Sequence, residues 1–180
     1  GKRYNCKRCW NFTPHFAMGD CRKCKIPHKP NIFVVAHGDL FGRWVPNDWI
    51  ERVLTITRHV PKQTWFFETK NPLRYYDFLE LFPENTVLST TIETNRNYKV
   101  SKAPPPELRY EAIRSIKAFP KHISIEPIMD FDMEVLVTWM QRINPAKVSV
   151  GYDSLNNNLP EPSLEKAEQL IKRLETFTVV

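Results

Sequence analysis

The stretch "TWFFETKNPLRYYDFLELFPENTVLSTTIETN" (residues 64–95) decides the fold. Two short runs rich in β-branched and aromatic residues, 64–69 and 86–92, flank "PLRYYDFLELF" (72–82), which reads as a helix. A strand that is apolar on both faces, a helix and a second such strand form a βαβ unit and argue for parallel sheet. The same alternation runs outward in both directions. Further strands are expected at "IFVVA" (32–36), "HISIE" (122–126), "KVSVG" (147–151) and the terminal "FTVV" (177–180). Helices are expected at 47–60, 106–119, 132–143 and 163–175. In the last of these Leu164, Ala167, Leu170, Ile171 and Leu174 repeat at helical spacing, one apolar face for a sheet. Asp48, Asp130 and Ser163 are expected N-caps, and Pro46, Pro72 and Pro106 suit helix starts. Repeated crossovers of this kind build either an open doubly wound sheet or a (β/α) barrel, and both bind ligands at the carboxyl ends of the strands.

The strand endings carry the chemistry. They read "AHGDLFG", "FETKNP", "TIETNRNY", "SIEPIMD" and "VGYDSLNNN", each turning polar as the apolar run stops. Asp39, Glu68, Glu93, Glu126 and Asp153 are therefore expected on one rim. The opposite endings, "KPN", "PKQ", "PEN", "PKH" and "NPA", are turn signals.

Composition narrows the class. The 180 residues are 42% hydrophobic and 26% charged, as in an ordinary globular protein. No apolar run is long enough for a membrane span and no secretory leader is evident, so a cytoplasmic protein with reduced cysteines is expected. Because it opens at Gly1 rather than Met, the chain is expected to be trimmed from a longer one.

The net charge of +6 is concentrated at one end. Residues 1–30 hold eight of the 26 Lys and Arg and only Asp20 of the 20 acids, so this segment carries +7 and the body −1. All four cysteines lie there too, as "CKRC" (6–9) and "CRKC" (21–24). Two C-x2-C loops supply a tetrahedral thiolate set for zinc, and thiolates equally hold iron–sulfur clusters. Cys6, Cys9, Cys21 and Cys24 are thus expected at one metal centre, with His15 and His28 as spare ligands. Phosphate is the natural partner of such a basic patch, and Trp10, Phe12 and Phe16 interleave with its cations as stacking surfaces do in nucleic-acid binding. The division expected is a Cys-rich basic segment, 1–30, ahead of a (β/α) body, 31–180, in one structural domain overall.

A Cys-rich loop ahead of this body resembles the radical S-adenosylmethionine superfamily. "FVVAHGDLFGRWVP", "FFETKNP", "LSTTIETNRNY", "KAPPPELRYEA", "SIEPIMDFD" and "SVGYDSLNNNLPEP" are similar to an uncharacterised branch of it that includes phage-type proteins. The resemblance implies a parallel-stranded (β/α) partial barrel of the radical-SAM type, a [4Fe-4S] cluster and S-adenosylmethionine as cofactors, and substrate chemistry at the barrel mouth. Position by position it implies that His37, Gly38 and Asp39 receive the methionine amine. Ser89, Thr91 and Glu93 would meet the ribose and methionine carboxylate, and "VGYDS" (150–154) the adenine. Glu68, Lys70, Glu126 and Asp153 would line the substrate end, with Glu126 as base. The superfamily's C-x3-C-x2-C motif is incomplete, since Lys2 stands where its first thiolate belongs and an ammonium cannot ligate iron. Either Cys21 or Cys24 folds back to complete the site, or all four thiolates close a zinc or iron–sulfur module with no open position. In the latter case the expected function is binding, with the basic segment on nucleic acid.

Overall fold

The computed structural model describes residues 31–35 and 37–180. Five strands, β1 (Asn31–Val34), β2 (Thr64–Thr69), β3 (Thr86–Thr91), β4 (Lys121–Ile125) and β5 (Lys147–Val150), form one sheet in the order β1-β2-β3-β4-β5. Every neighbouring pair is parallel. A doubly wound sheet needs a reversal of strand order, and this sheet has none. Sequential order is that of an arc of a (β/α) barrel. The connections carry α1 (Asn47–Arg58), a 3₁₀ helix (Pro72–Leu81), α2 (Pro106–Ser115) and α3 (Met133–Ile143), and α4 (Leu164–Leu174) follows β5.

Alternation along each strand separates the two sheet faces. Trp65, Phe67, Leu88, Ile123, Ile125 and Val148 join Leu54, Ile113, Leu136 and Leu170 of the helices in one apolar core. The central strands β3 and β4 are buried throughout, as strands covered on both faces are. The other face carries Glu68, Ser89, His122 and Lys147 in register across four strands. One rung nearer the carboxyl ends it carries Thr91, Ser124 and Ser149.

Several expectations are corrected. Strand β1 stops at Val34, because Val35 takes a left-handed φ of 58° that a β-branched residue tolerates poorly and that turns the chain out of the sheet. The helix expected at 72–82 is 3₁₀ in form. Its buried residues, Pro72, Tyr75 and Phe78, repeat every third position, and three residues per turn puts them in one line. Phe41, Tyr75, Phe78 and Phe82 make a mostly edge-on aromatic cluster there, with Phe41 tilted against Phe82 and the centroids of Phe41 and Tyr75 4.7 Å apart. The Tyr75 hydroxyl donates to the carbonyls of Phe67 (2.9 Å) and Ser89 (2.8 Å), stitching this helix to β2 and β3. "FTVV" supplies only an isolated bridge, Val179 to Lys147. Ser163 caps α4 as expected, accepting from the Lys166 amide, whereas Asp130 caps nothing. Asp132 stands at the start of α3, and Asp130 instead pairs with Arg96 and, at 2.6 Å, with Lys166. Among the described residues no helix is long and apolar enough to cross a membrane.

Candidate functional site

Because all strands run in parallel, their carboxyl ends share one rim, and the residues after β1, β2 and β3 meet at a cavity of about 740 Å³. Gly38, Asp39, Trp44, Glu68, Lys70 and Thr91 are among the residues that line it. That volume falls in the range of small-molecule and cofactor sites.

Asp39 builds the β1–α1 side of the cavity. Its Oδ1 accepts from the Phe41 amide (2.9 Å) and the Thr69 hydroxyl (2.7 Å), and its Oδ2 from the Lys70 amide (3.0 Å). The carboxylate therefore fastens the loop to the end of β2, while Oδ2 keeps acceptor capacity. Arg74, on the 3₁₀ helix, clamps the same loop from behind through the carbonyls of Gly42 and Val45 and the side chain of Asn47. The loop is held at both ends of its polar surface, yet it leaves Trp44 77% exposed at the cavity.

Glu68 and Glu93 are two carboxylates in opposed environments. Glu68 Oε2 accepts from the Ser89 hydroxyl at 2.8 Å, and its Oε1 makes no hydrogen bond among the described residues. Burial pushes the Glu68 carboxyl above its ordinary 4.5, against the Ser89 hydrogen bond and with help from the nearby Glu126 charge. Glu93 is also buried, and burial opposes its ionisation too, but Arg109 and then Lys70 outweigh it and hold the carboxyl low. Arg109 Nη1 lies 2.7 Å from Glu93 Oε2, and Lys70 Nζ lies 2.6 Å from Oε1. Arg109 further donates to the carbonyls of Thr91 and Pro104, so the buried guanidinium is well satisfied. Glu93 is thus a locked structural anion, and Glu68 is a carboxyl with one oxygen turned to the cavity.

The remaining expected residues separate. Ser89 is fully buried between Glu68 and His122, and Thr91 reaches the cavity wall. Glu126 follows β4 on the same face, and a Cβ added to Gly151 would come 2.8 Å from its carboxyl carbon, so Gly151 makes room for it. Asp153 spends its carboxylate on its own loop, accepting from the Leu155 amide (3.0 Å) and the Asn157 amide and side chain. His37 is exposed and outside the cavity lining. Lys2, Cys6, Cys9, Cys21 and Cys24 lie outside the described residues. Among those described, no three His, Cys, Asp or Glu side chains gather as a metal site.

His122 and Lys147 are the residues that sequence reasoning missed: each opens an expected strand, "HISIE" and "KVSVG", directly after a turn signal, so neither stood at a polar strand ending. Alternation could have found them: counting back by twos from Glu126 reaches Ser124 and His122, and from Gly151 reaches Ser149 and Lys147. His122 Nδ1 lies 2.8 Å from Ser89 Oγ and Nε2 lies 2.9 Å from Ser149 Oγ. Burial, with the Lys147 charge adding to it, pushes the imidazole pKa down to about 3, so the ring is neutral at physiological pH.

No curated protein and no solved structure matches the chain. A family model described as "Protein of unknown function (DUF5131)" matches residues 9–151, most of the chain, and the protein belongs to that family.

Proposed function

We propose that this protein is a radical-SAM-like iron–sulfur protein acting on a substrate held at the carboxyl rim of its sheet. The observation that carries the reading is the convergence of Gly38, Asp39, Glu68, Lys70 and Thr91 from three strand ends on one cavity. Their chemistry suits the cofactor. Asp39 Oδ2 and Glu68 Oε1 retain acceptor capacity for an ammonium, and Thr91 offers a hydroxyl. An iron–sulfur cluster with S-adenosylmethionine supplies radical chemistry when bound; Cys6 and Cys9 would hold it, with Lys2 standing where the third thiolate of the superfamily's motif belongs. Asp39 positions the loop over the cavity, and Glu93 holds Lys70 in place at its edge. Glu68, with its raised carboxyl pKa, takes or gives the proton at Oε1.

The charge of residues 1–30 favours a second reading, a four-Cys zinc or closed iron–sulfur module that contacts nucleic acid. One experiment separates the first reading from the zinc form of the second. Anaerobically purified protein is expected to absorb near about 400 nm and to contain iron and sulfide. Zinc alone, with no chromophore, selects the second reading. Because Lys2 displaces a ligand, little 5′-deoxyadenosine is expected from S-adenosylmethionine, and Lys2→Cys should increase it. Comparable production by the unmodified chain would make Cys21 or Cys24 the third ligand.

A further inference from the structure

The face of the sheet that looks away from the helices holds an unbroken side-chain chain across β2, β3, β4 and β5. Glu68 Oε2, Ser89 Oγ, His122 Nδ1, His122 Nε2 and Ser149 Oγ follow one another at 2.8, 2.8 and 2.9 Å across the three contacts between residues. In-register pairing puts Glu68, Ser89 and His122 on one rung, and Ser149 lies one rung on toward the carboxyl ends. The ionised carboxylate fixes the polarity. It can only accept, so Ser89 donates to it and takes the Nδ1 proton of His122 as acceptor, which leaves Nε2 bare to accept from Ser149. A nucleophile bonded to a base that is itself oriented by a third group is the arrangement that activates serine. Of the two serines, Ser89 is fully buried and Ser149 only half-buried, so Ser149 is the more accessible of the two.

We infer that Ser149 is a nucleophile for acyl transfer from an ester, with His122 as its base and Ser89 and Glu68 as the relay behind that base. In the step, Ser149 Oγ bonds to the ester carbonyl carbon and the bond to the leaving alkoxide breaks. The Ser149 proton moves to Nε2, the Nδ1 proton to Ser89, and the Ser89 proton to Glu68. Charge thus passes from the Glu68 carboxylate to the departing alkoxide. That alkoxide is then protonated from Nε2 as the relay runs back. Water attacks the acyl-serine in the same manner. His122 never holds a net charge, which its burial beside Lys147 would oppose, and the proton rests on the carboxyl that burial makes receptive. Glu126 after β4, Lys70 at the end of β2 itself and Asp39 after β1 all act on Glu68, and Lys147 faces His122 from β5. The activity needs neither a cluster nor S-adenosylmethionine, so its test is independent of the function proposed above.

The full chain is treated with p-nitrophenyl acetate, p-nitrophenolate release is followed, and the acetylated residue is mapped by mass spectrometry. Acetyl is expected on Ser149, with release lost in Ser149→Ala. Base catalysis of this kind contributes about 100-fold or more, so His122→Gln and Glu68→Gln should each slow Ser149 acetylation by that factor. The rate should rise with pH as Glu68 ionises, and Glu68→Gln should flatten that limb. Glu68 stands at the edge of the cavity, so its variant gives the answer even where His122→Gln does not fold. Acetyl confined to lysines, or Ser149 acetylated equally fast in Glu68→Gln, overturns the inference.

Discussion

Glu68 and Glu93 are the same residue type on the same face of the sheet, at neighbouring strand ends, and their surroundings drive them in opposite directions. Their contributions to stability therefore have opposite pH dependence. The Glu68 carboxyl is raised in the folded state, so its contribution is complete below 4.5 and is lost as pH rises through the folded value. Glu93 is lowered, so its contribution is present above 4.5 and is lost as pH falls through its folded value. Glu68→Gln is accordingly expected to gain on the parent protein as pH rises above 4.5. Urea midpoints measured from pH 4 to about 8 check this, and a constant difference across the range would contradict the burial of Glu68. Glu68 and Glu93 were legible as rim residues because each closes an apolar run. Their division into a reactive carboxyl and a locked anion was not legible. It depends on Arg109, sixteen residues beyond Glu93, whose guanidinium returns to it at 2.7 Å.

Among the elements, the 3₁₀ helix has the most varied duties. Tyr75 bonds two strands, Phe78 fills the aromatic cluster, and Arg74 clamps the loop that carries Trp44. Arg74→Met should leave the carbonyls of Gly42 and Val45 without their charged donor, at a cost of about 2 kcal/mol. Hydrogen exchange is expected to accelerate over 39–47 while β2 and β3 keep their protection, because their ladder does not involve Arg74. Equal acceleration in the strands would show that the clamp holds the sheet rather than the loop. The existence of an element here was readable from apolar residues between two strands. Its 3₁₀ form was set by tertiary packing, which buries every third residue. A similar limit applies to β1: β-branched residues through Val35 suggested a longer strand, and the left-handed backbone at Val35 ends it.

At the scale of the whole molecule the charge is segregated, with +7 on residues 1–30 and −1 on the remainder. If the basic segment meets phosphate, binding to single-stranded DNA should be strongly salt-dependent. Engagement of six to eight phosphates of a single strand predicts a fall of about 10³-fold in affinity between 50 and 200 mM salt. Fluorescence anisotropy with the full chain measures it, and Lys7→Glu with Arg8→Glu should weaken binding and reduce the slope. An affinity indifferent to salt would assign those charges to solvation alone.

What the amino-acid order determined by itself was local or cumulative: alternating strands and helices, the parallel class, polar strand endings and the paired cysteines. These follow from side-chain periodicity and spacing, which act between near neighbours in sequence. Only the tertiary structure decided which residues share a rung. His122 stood at the start of an expected strand, and Ser149 inside another, with nothing to mark either until strand register brought them beside Ser89 and Glu68. Register across five parallel strands joins residues 21 to 33 positions apart in consecutive pairs, and no short-range pattern encodes that alignment. The packing of the helices on one face fixes it, and with it the chemistry of the other.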